Sequence, residues 1–511
     1  MKQLSLILIP LILVGAFLAS CKQEKTAVQE EILAKVADKT ISANEFIRRA
    51  EYTIRPNYCS GDNYIHRKIV LNSLIAEKLL ALEAGDDNAL THNHEFNQYI
   101  TGRKEQAMRQ WLFYEVAVKP VKLDTGEINR TYRLAGRVYD VSYLNAPDEQ
   151  TAQKISELLG KGIPFDSLAK NLNPKKRIPR REINFEAEEP DAVNAALFNE
   201  NIRKGEIVGP VKVDRDNFVF LKVNGWRTQV AMTERQQRDR LSLVKDKLTE
   251  RHALVNYEKF ISKIMHGKTL EFNEPVFRKL VTILGPEYYK TPKEKKEQFN
   301  KKFWNKDNDL MIRDDAQAEL AKIADQPFFT IDGRTWTVAD FQDEILRHPL
   351  IFRKKKFPKN KFARQFKLAV VDMIRDHYLT QEAYKRGYDK VPQVVRNVNM
   401  WRDNLLALYQ KKQYLDFVGA KGKKTNELIR EYLDPYVAKL RQKYADQIFI
   451  NTDVFEKIKL TRIPMFALQP NQAFPVVVPS FPQLTMHNKL DYGKKLIPES
   501  DSENIVSKTE K

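Results

Sequence analysis

A multidomain, mainly helical chain with one α+β segment is what the sequence predicts, and three observations predict it. The chain has 511 residues, more than one hydrophobic core organises, so several domains are expected. Apolar residues recur at helical spacing through most of its length, and glycine is scarce, at 18 residues. One stretch, Arg137 to Arg227, departs from that habit and alternates strand-like runs with short helices and glycine breaks.

The first 21 residues read as a leader and not as fold. Lys2 supplies the positive charge, and Leu4 to Leu18 is an apolar run too short and too N-terminal to favour a permanent span. Leu18-Ala-Ser-Cys21 resembles a lipobox. The resemblance implies cleavage before Cys21 and a diacylglyceryl thioether on its sulfur. Each buried methylene adds about 0.8 kcal/mol, so two or more acyl chains anchor stably. Residue 22 is Lys and not Asp, so an outer-membrane anchor facing the periplasm is expected.

Export narrows what the +19 net charge serves, and a nucleic-acid partner is not expected. With Cys21 lipidated, Cys59 has no intrachain partner; it is a small buried residue or a free thiol. No Cys/His spacing suggests a metal site, His92 and His94 read as a solvated loop, and no cofactor is expected.

After a polar tether, Ile32 to Phe46 reads as a hairpin turning at Ala37-Asp38-Lys39 and then a helix. Ser42 is the expected N-cap, with Glu45 at the capping-box position. A second helix carries Ile69, Leu71, Leu74, Ile75, Leu79, Leu80 and Leu82, and a third runs from about His94 to Val118. The run from Ile75 to Ala84 is similar to the N-terminal chaperone module of SurA/PrsA-type foldases. Thr125 to Tyr132 resembles the short helix that joins that module to the next domain.

The next domain opens with a strand, Arg137 to Leu144, then a helix, Glu149 to Leu159, and a second short helix after Gly160-Lys-Gly162. It closes with Lys204-Gly-Glu-Ile-Val-Gly-Pro-Val-Lys-Val213 and a last strand, Asn217 to Val223. This order resembles the parvulin family of peptidyl-prolyl isomerases. An X-Pro bond rotates over a barrier of about 18–20 kcal/mol. Its catalyst needs an apolar pocket for the proline ring and polar groups that favour the twisted amide. The resemblance implies a Met/Phe pocket and two histidines on the first and last strands. Counting back nine from Ala152 puts Tyr143 at the first histidine position, and Phe218-Val219 puts Val219 at the second. Phe198 is the pocket aromatic carried over, with Phe218 beside it. Arg180 to Phe185 matches a loop that is glycine-rich in the family and has no glycine here. Activity is therefore left open, and the domain is expected to bind peptide or to pack as a scaffold.

Met232 to His266 predicts one or two long helices, and Lys290 to Lys306 a solvated, lysine-rich face. The first module then recurs. Phe329 to Phe341 parallels Lys35 to Phe46, Phe366 to Ala383 parallels Arg67 to Ala84, and Thr425 to Tyr432 parallels Thr125 to Tyr132. Ile448 to Ile458 reads as a closing strand and helix. Pro464, Pro470, Pro475, Pro479 and Pro482 make the tail extended or disordered.

The expected layout is a leader (1–21), a tether (22–30), a SurA-N-like helical module (31–133), a parvulin-like domain (134–228) and long helices with a linker (229–325). A second SurA-N-like module (326–460) and the tail (461–511) follow. The helical modules are of the SurA/trigger-factor-like kind. The resemblance implies a membrane-anchored foldase or chaperone whose partners are unfolded or proline-containing exported polypeptides, outer-membrane proteins among them. An isomerase working without histidines and a structural subunit of an envelope complex are the alternatives.

Overall fold

The computed structural model describes residues 31–172, 177–187, 189–213, 217–291, 294, 314–354, 357–420, 423–461, 465 and 476–496. The leader with Cys21, the tether, most of the 290–306 stretch, and Pro464, Pro470 and Pro475 lie outside these residues. None of the described helices is long and apolar enough to cross a membrane.

In chain order, the first elements are β1 (Ile32–Val36), β2 (Lys39–Ser42), α1 (Ala43–Glu51), α2 (Tyr64–Ala84), α3 (His94–Phe113) and α4 (Thr125–Ala135). The α+β segment holds β3 (Arg137–Ala146), α5 (Glu149–Gly160), α6 (Phe165–Leu172), β4 (Arg180–Asn184), α7 (Asp191–Leu197), β5 (Ile207–Lys212) and β6 (Phe218–Thr228). Then come α8 (Glu234–Met265), β7 (Leu270–Phe272), α9 (Glu274–Tyr288), α10 (Asp314–Ala321), β8 (Pro327–Ile331), β9 (Arg334–Thr337), α11 (Val338–Arg347) and α12 (Phe362–Lys385). The last are α13 (Pro392–Phe417), α14 (Thr425–Leu428), α15 (Asp434–Lys443), β10 (Ile448–Ile450), α16 (Thr452–Lys457) and β11 (Lys494–Lys495). The fold is mainly helical with small sheets. It divides into two compact units, one of residues up to 91 and most of those from 400 on, the other of residues 92–399.

In the first unit the strand order is β11-β10-β1-β2. Ser42 caps α1 by accepting the Glu45 N–H at 3.0 Å, and the Glu45 carboxylate takes the ammonium of Lys78 at 3.1 Å. α1 buries Phe46 and Ala50 against a wholly buried face of α2 carrying Val70, Leu71, Leu74 and Ile75. Cys59 lies in the same core as a free thiol, which burial pushes up to about 12. Residues 476–496 are extended and pack into this core through Phe481 and Leu484. An extended segment with few strand partners must satisfy its carbonyls in some other way. Arg49 donates to the Ser480 carbonyl at 3.1 Å, Lys411 to Gln483 at 3.2 Å, and Asn72 to His487 and Lys489 at 2.8 and 2.9 Å. Phe481, Leu484 and Thr485 are buried, and residues 493–495 are exposed.

The second unit holds two sheets. The smaller, β7-β8-β9, packs on α9, α11 and α12 through an aromatic core of Phe277, Phe328, Phe329, Phe341 and Phe366. α8 is a single 32-residue helix opened by a Thr233–Gln236 capping box. The larger sheet is antiparallel in the order β4-β3-β6-β5. Arg180 to Asn184 is a strand of this sheet, pairing Val138 with Asn184 through Ser142 with Arg180, so the expectation of a loop there is corrected. Four of its five residues are polar or charged, three in a row are exposed, and only Ile183 is buried, so no alternation marks this edge strand in the sequence.

The two smaller sheets are built alike. In one, the β1-β2 hairpin is joined antiparallel by β10; in the other, the β8-β9 hairpin is joined antiparallel by β7. Phe449-Ile450-Asn451-Thr452-Asp453-Val454-Phe455 matches Glu271-Phe272-Asn273-Glu274-Pro275-Val276-Phe277. Asn451 donates its N–H to the Leu33 carbonyl at 2.8 Å, and Asn273 to Phe328 at 2.9 Å. Each asparagine also caps the helix that follows, accepting from Val454 at 3.0 Å and from Val276 at 3.3 Å. The strand that follows the first hairpin and its helices, β7, completes the second hairpin, and the strand that follows the second hairpin completes the first. The closing strands are thus exchanged between the two hairpins.

Candidate functional site

Successive residues of a strand face opposite ways, so each face of the larger sheet draws on alternate positions. One face carries Tyr139, Val141, Val219, Leu221 and Val223, with Tyr143 half-buried at its margin. It is covered by Val193 and Leu197 of α7, by Phe198, and by Val244 and Leu248 of α8. The other face carries Leu144, Ala146 and Phe220, with Phe218 beside them, under α5 and α6. Tyr143, Phe198 and Val219 therefore share one face, and Phe218 lies on the opposite one. A pocket containing both Phe218 and Val219 is excluded by their adjacency in β6.

The shared face is filled. Phe198 ends α7, is 8% exposed, and meets Tyr139 and Phe185 edge-on at 5.1 Å each. Such pairs contribute about 0.5–1.5 kcal/mol beyond the area they bury. Val219 is 4% exposed and is flanked by Asn145 on β3 and Val211 on β5. Near it Gly209 has φ +142°, and a Cβ there would stand 2.9 Å from the Val219 carbonyl oxygen. Only glycine lets β5 approach so closely. Tyr143 is the accessible member, with the Arg181 guanidinium 5.1 Å from its ring centre.

A polar group that the sequence reading missed crosses the central strands. Arg180 pairs with Asp140, its Nε donating at 2.6 Å, and Asn224 donates to Ser142 Oγ at 3.1 Å and to Asp140 at 3.4 Å. The Arg180 hydrogen bonds hold the Asp140 carboxyl below its ordinary value. The Asp140-x-Ser142 spacing was the available signal.

A second feature lies among the helices of the same unit. A cavity of about 970 Å³ is walled by α3, α8, α12 and the chain from Leu346 to Arg353. Gly102 brings α3 against that chain, since a Cβ would fall 2.1 Å from the Arg347 carbonyl oxygen. Arg353 and Arg375 on its wall are held by Asp372 and Asp376, with Nε to carboxylate distances of 2.5 and 2.9 Å. Arg109, 8% exposed, donates to Thr380 Oγ1 at 2.7 Å and stands 3.2 Å from His348 Nε2. His348 is 2.9 Å from Glu105, which also accepts from the Tyr384 hydroxyl at 3.2 Å. Burial and the neighbouring Arg109 charge push the His348 imidazole below its ordinary value, against the pull of Glu105 and Glu344. No local motif announces this cavity, because its walls come from four separated stretches. Among the described residues, no cluster of three His, Cys, Asp or Glu side chains could hold a metal ion.

No family model matches the chain. It is similar to the foldase protein PrsA of Caldanaerobacter subterraneus subsp. tengcongensis, at 28% identity over 247 residues. That alignment covers 42% of this chain and 79% of the relative. Among solved structures, the peptidylprolyl isomerase PrsA of Bacillus anthracis matches 37% of this chain and 96% of its own, at 15% identity and a TM-score of 0.19. PrsA of Bacillus cereus matches 43% and 88%, at 18% identity and 0.20. Scores this low carry no weight for fold or function, and the sequence similarity to a PrsA foldase is the finding that bears on this chain.

Proposed function

We propose that this protein is an exported, lipid-anchored foldase that holds unfolded polypeptides, and that its parvulin-like domain binds or braces client chain without rapid prolyl isomerisation. The observation that carries the reading is the pair of positions at which the parvulin resemblance implies histidine. They are Tyr143 and Val219, and Val219 and the pocket aromatic Phe198 lie in a packed core. Isomerisation requires no proton transfer, but it does require room for a proline ring and groups that favour the twisted amide. A face filled by Phe198, Tyr139 and Phe185 offers little of the first. The similarity to a PrsA foldase supports the wider foldase reading. Helical modules of the SurA-N kind would hold clients, and Cys21 would anchor the chain, in the outer membrane by the cue of Lys22.

The test is exchange NMR on an X-Pro peptide with residues 22–511. The expected result is peptide line broadening with no exchange above the uncatalysed rate. Fast exchange that falls in Phe198→Ala would make the protein a working isomerase. Suppression of aggregation of an unfolded client should accompany binding; its absence, with a stoichiometric partner in a pull-down, would favour the structural-subunit reading. Labelling with an alkynyl fatty acid should be lost in Cys21→Ala, and Lys22→Asp should move the protein between membrane fractions if the anchor is sorted as proposed.

A further inference from the structure

We propose that the first unit holds a groove for extended, proline-bearing polypeptide, and that the chain's own stretch from Pro479 to Leu484 is its resident occupant. An unfolded client takes the groove when this stretch is displaced. The site belongs to the helical first unit and not to the parvulin-like domain. This deepens the foldase reading and rests on it.

The stretch is held by its main chain. Arg49 of α1 donates to the Ser480 carbonyl at 3.1 Å, and Asn404 of α13 stands 3.5 Å from the same oxygen. Lys411 of α13 donates to the Gln483 carbonyl at 3.2 Å. Further along, Asn72 of α2 donates to the carbonyls of His487 and Lys489 at 2.8 and 2.9 Å. Every residue has a carbonyl, so contacts of this kind admit many sequences. Arginine and lysine only donate, and proline has a carbonyl but no N–H, so a wall of donors suits a chain that carries proline. The donors are also fixed in advance. Glu77, itself wholly buried, holds the Arg49 guanidinium at 2.7 and 2.8 Å and accepts from Asn404 at 2.6 Å. Donors already in place need little further ordering when a chain binds.

The side chains of the stretch supply the apolar half of the fit. Pro479, Phe481, Pro482 and Leu484 are buried, while Ser480 between them is exposed. Phe481 and Leu484 join the core beneath α1 and α2. Proline at this spacing pre-orders an extended chain, which lowers the entropy lost on docking. The repeat itself does not require the donors. Counted from Phe341 and Phe366 as from Phe46 and Arg67, Arg49 and Asn72 become Glu344 and Val371 in the second copy, and neither an ionised glutamate nor a valine side chain donates to a carbonyl. What fastens the resident lies beyond the stretch. Asp434 of α15 accepts from the Thr485 hydroxyl and, at 3.1 Å, from the Met486 N–H, and β11 pairs with β10. The hydroxyl contact reads a particular side chain, so a client of other sequence matches the donor wall and not this fastening.

The experiment uses residues 22–511 and a fluorescein-labelled peptide with the sequence from Val476 to His487, followed by anisotropy. Phe481→Ser with Leu484→Ser removes the anchors of the resident stretch and leaves the donor wall in place. Apparent affinity scales with the fraction of molecules whose groove is empty, so this variant should capture the peptide about tenfold more tightly than the wild-type chain. A peptide carrying the same two serines should bind neither protein. Carboxymethylated α-lactalbumin, which stays unfolded, should displace the peptide from the variant. Should circular dichroism show the double variant unfolded, Asp434→Ala takes its place, and by loosening Thr485 and Met486 it should raise capture about threefold. A folded variant that captures no more peptide than the wild-type chain shows the stretch to be fixed core and overturns the inference, as does unfolding of both variants. Capture that unfolded α-lactalbumin does not displace, with aggregation suppression intact, overturns it too and leaves the foldase reading standing. Absence of aggregation suppression in the wild-type chain and the variant alike removes both.

Discussion

The two hairpin cores are closed in the same way and filled differently. Each receives an antiparallel third strand followed by an asparagine-capped helix. In the first unit the crossing of α1 and α2 holds a wholly buried ion pair, Arg49 to Glu77, at 2.7 and 2.8 Å, with Asn404 donating to Glu77 at 2.6 Å. Beside it Lys78 bridges Glu45 and Asp403, and Lys39 reaches Asp403 at 2.7 Å. In the second unit the equivalent crossing of α11 and α12 carries Glu344 against His377 at 3.1 Å, and the space around it is aromatic. The difference teaches what the buried charges do. Arg49 also holds the Ser480 carbonyl of the C-terminal segment, so the ionic core is where that segment is stitched in. The aromatic core instead takes in Leu350, Phe352 and Phe357 from outside the helices, with the Tyr288 and Tyr289 hydroxyls donating to the Lys354 and Phe357 carbonyls at 3.4 and 3.3 Å.

The comparison breaks most readily at Arg49. Arg49→Met leaves Glu77 charged and buried, and should cost the first unit about 3–5 kcal/mol in urea denaturation. Pairing it with Glu77→Leu should recover most of that loss, but hydrogen exchange of residues 476–496 should remain fast, because Ser480 has lost a donor. In the second unit, Phe328→Leu should cost less, about 1–1.5 kcal/mol, since volume is nearly kept. A loss as large as that at Arg49 would mean that the aromatic geometry, and not the volume, holds this core.

Smaller effects test the likeness. Asn451→Ala and Asn273→Ala each remove a helix cap and should each cost about 1 kcal/mol. Unequal costs would show that the two closures are alike only in outline. Acid should then separate the units with a modest effect. In the second unit His348 is depressed, so its contribution is full above the ordinary histidine value of about 6.5 and is lost as pH falls through that range. Glu105 and Glu344, held low by their histidine and arginine neighbours against burial, add to the loss as pH falls further. In the first unit Asp403 is also low: burial opposes the charge, and Lys78 and Lys39 outweigh it. Its contribution survives until the carboxylate range. Tryptophan fluorescence against pH, following Trp336 of the second unit and Trp401 of the first in single-tryptophan variants, should show the second unit loosening first. A simultaneous transition would mean that His348 does not report the second unit alone.

What could be read in advance was local. The two hairpins, the Ser42 cap, the long helix α8 and the strands and helices from Arg137 to Thr228 other than β4 follow from spacings of two and 3.6 residues and from turn chemistry, which act over a few positions. The opposite facing of Phe218 and Val219 is legible too, since neighbours in a strand point to opposite faces. What only the tertiary structure decided involves partners far apart in the chain. Which of β7 and β10 reaches which hairpin is not written locally, because the same Asn-x-x-Val-Phe run follows both strands. The burial of 476–496 depends on Arg49 and Asn72, more than 400 positions earlier in the chain. The depressed His348 imidazole depends on burial and on Arg109, Glu105 and Glu344, which come from two separate helices. Sequence by itself determined the period and ends of most elements, because backbone sterics and capping are short-ranged, while β4 took its strand from pairing with β3. Pairing, burial and charge balance depended on the folded chain, because they are sums over neighbours that only folding brings together.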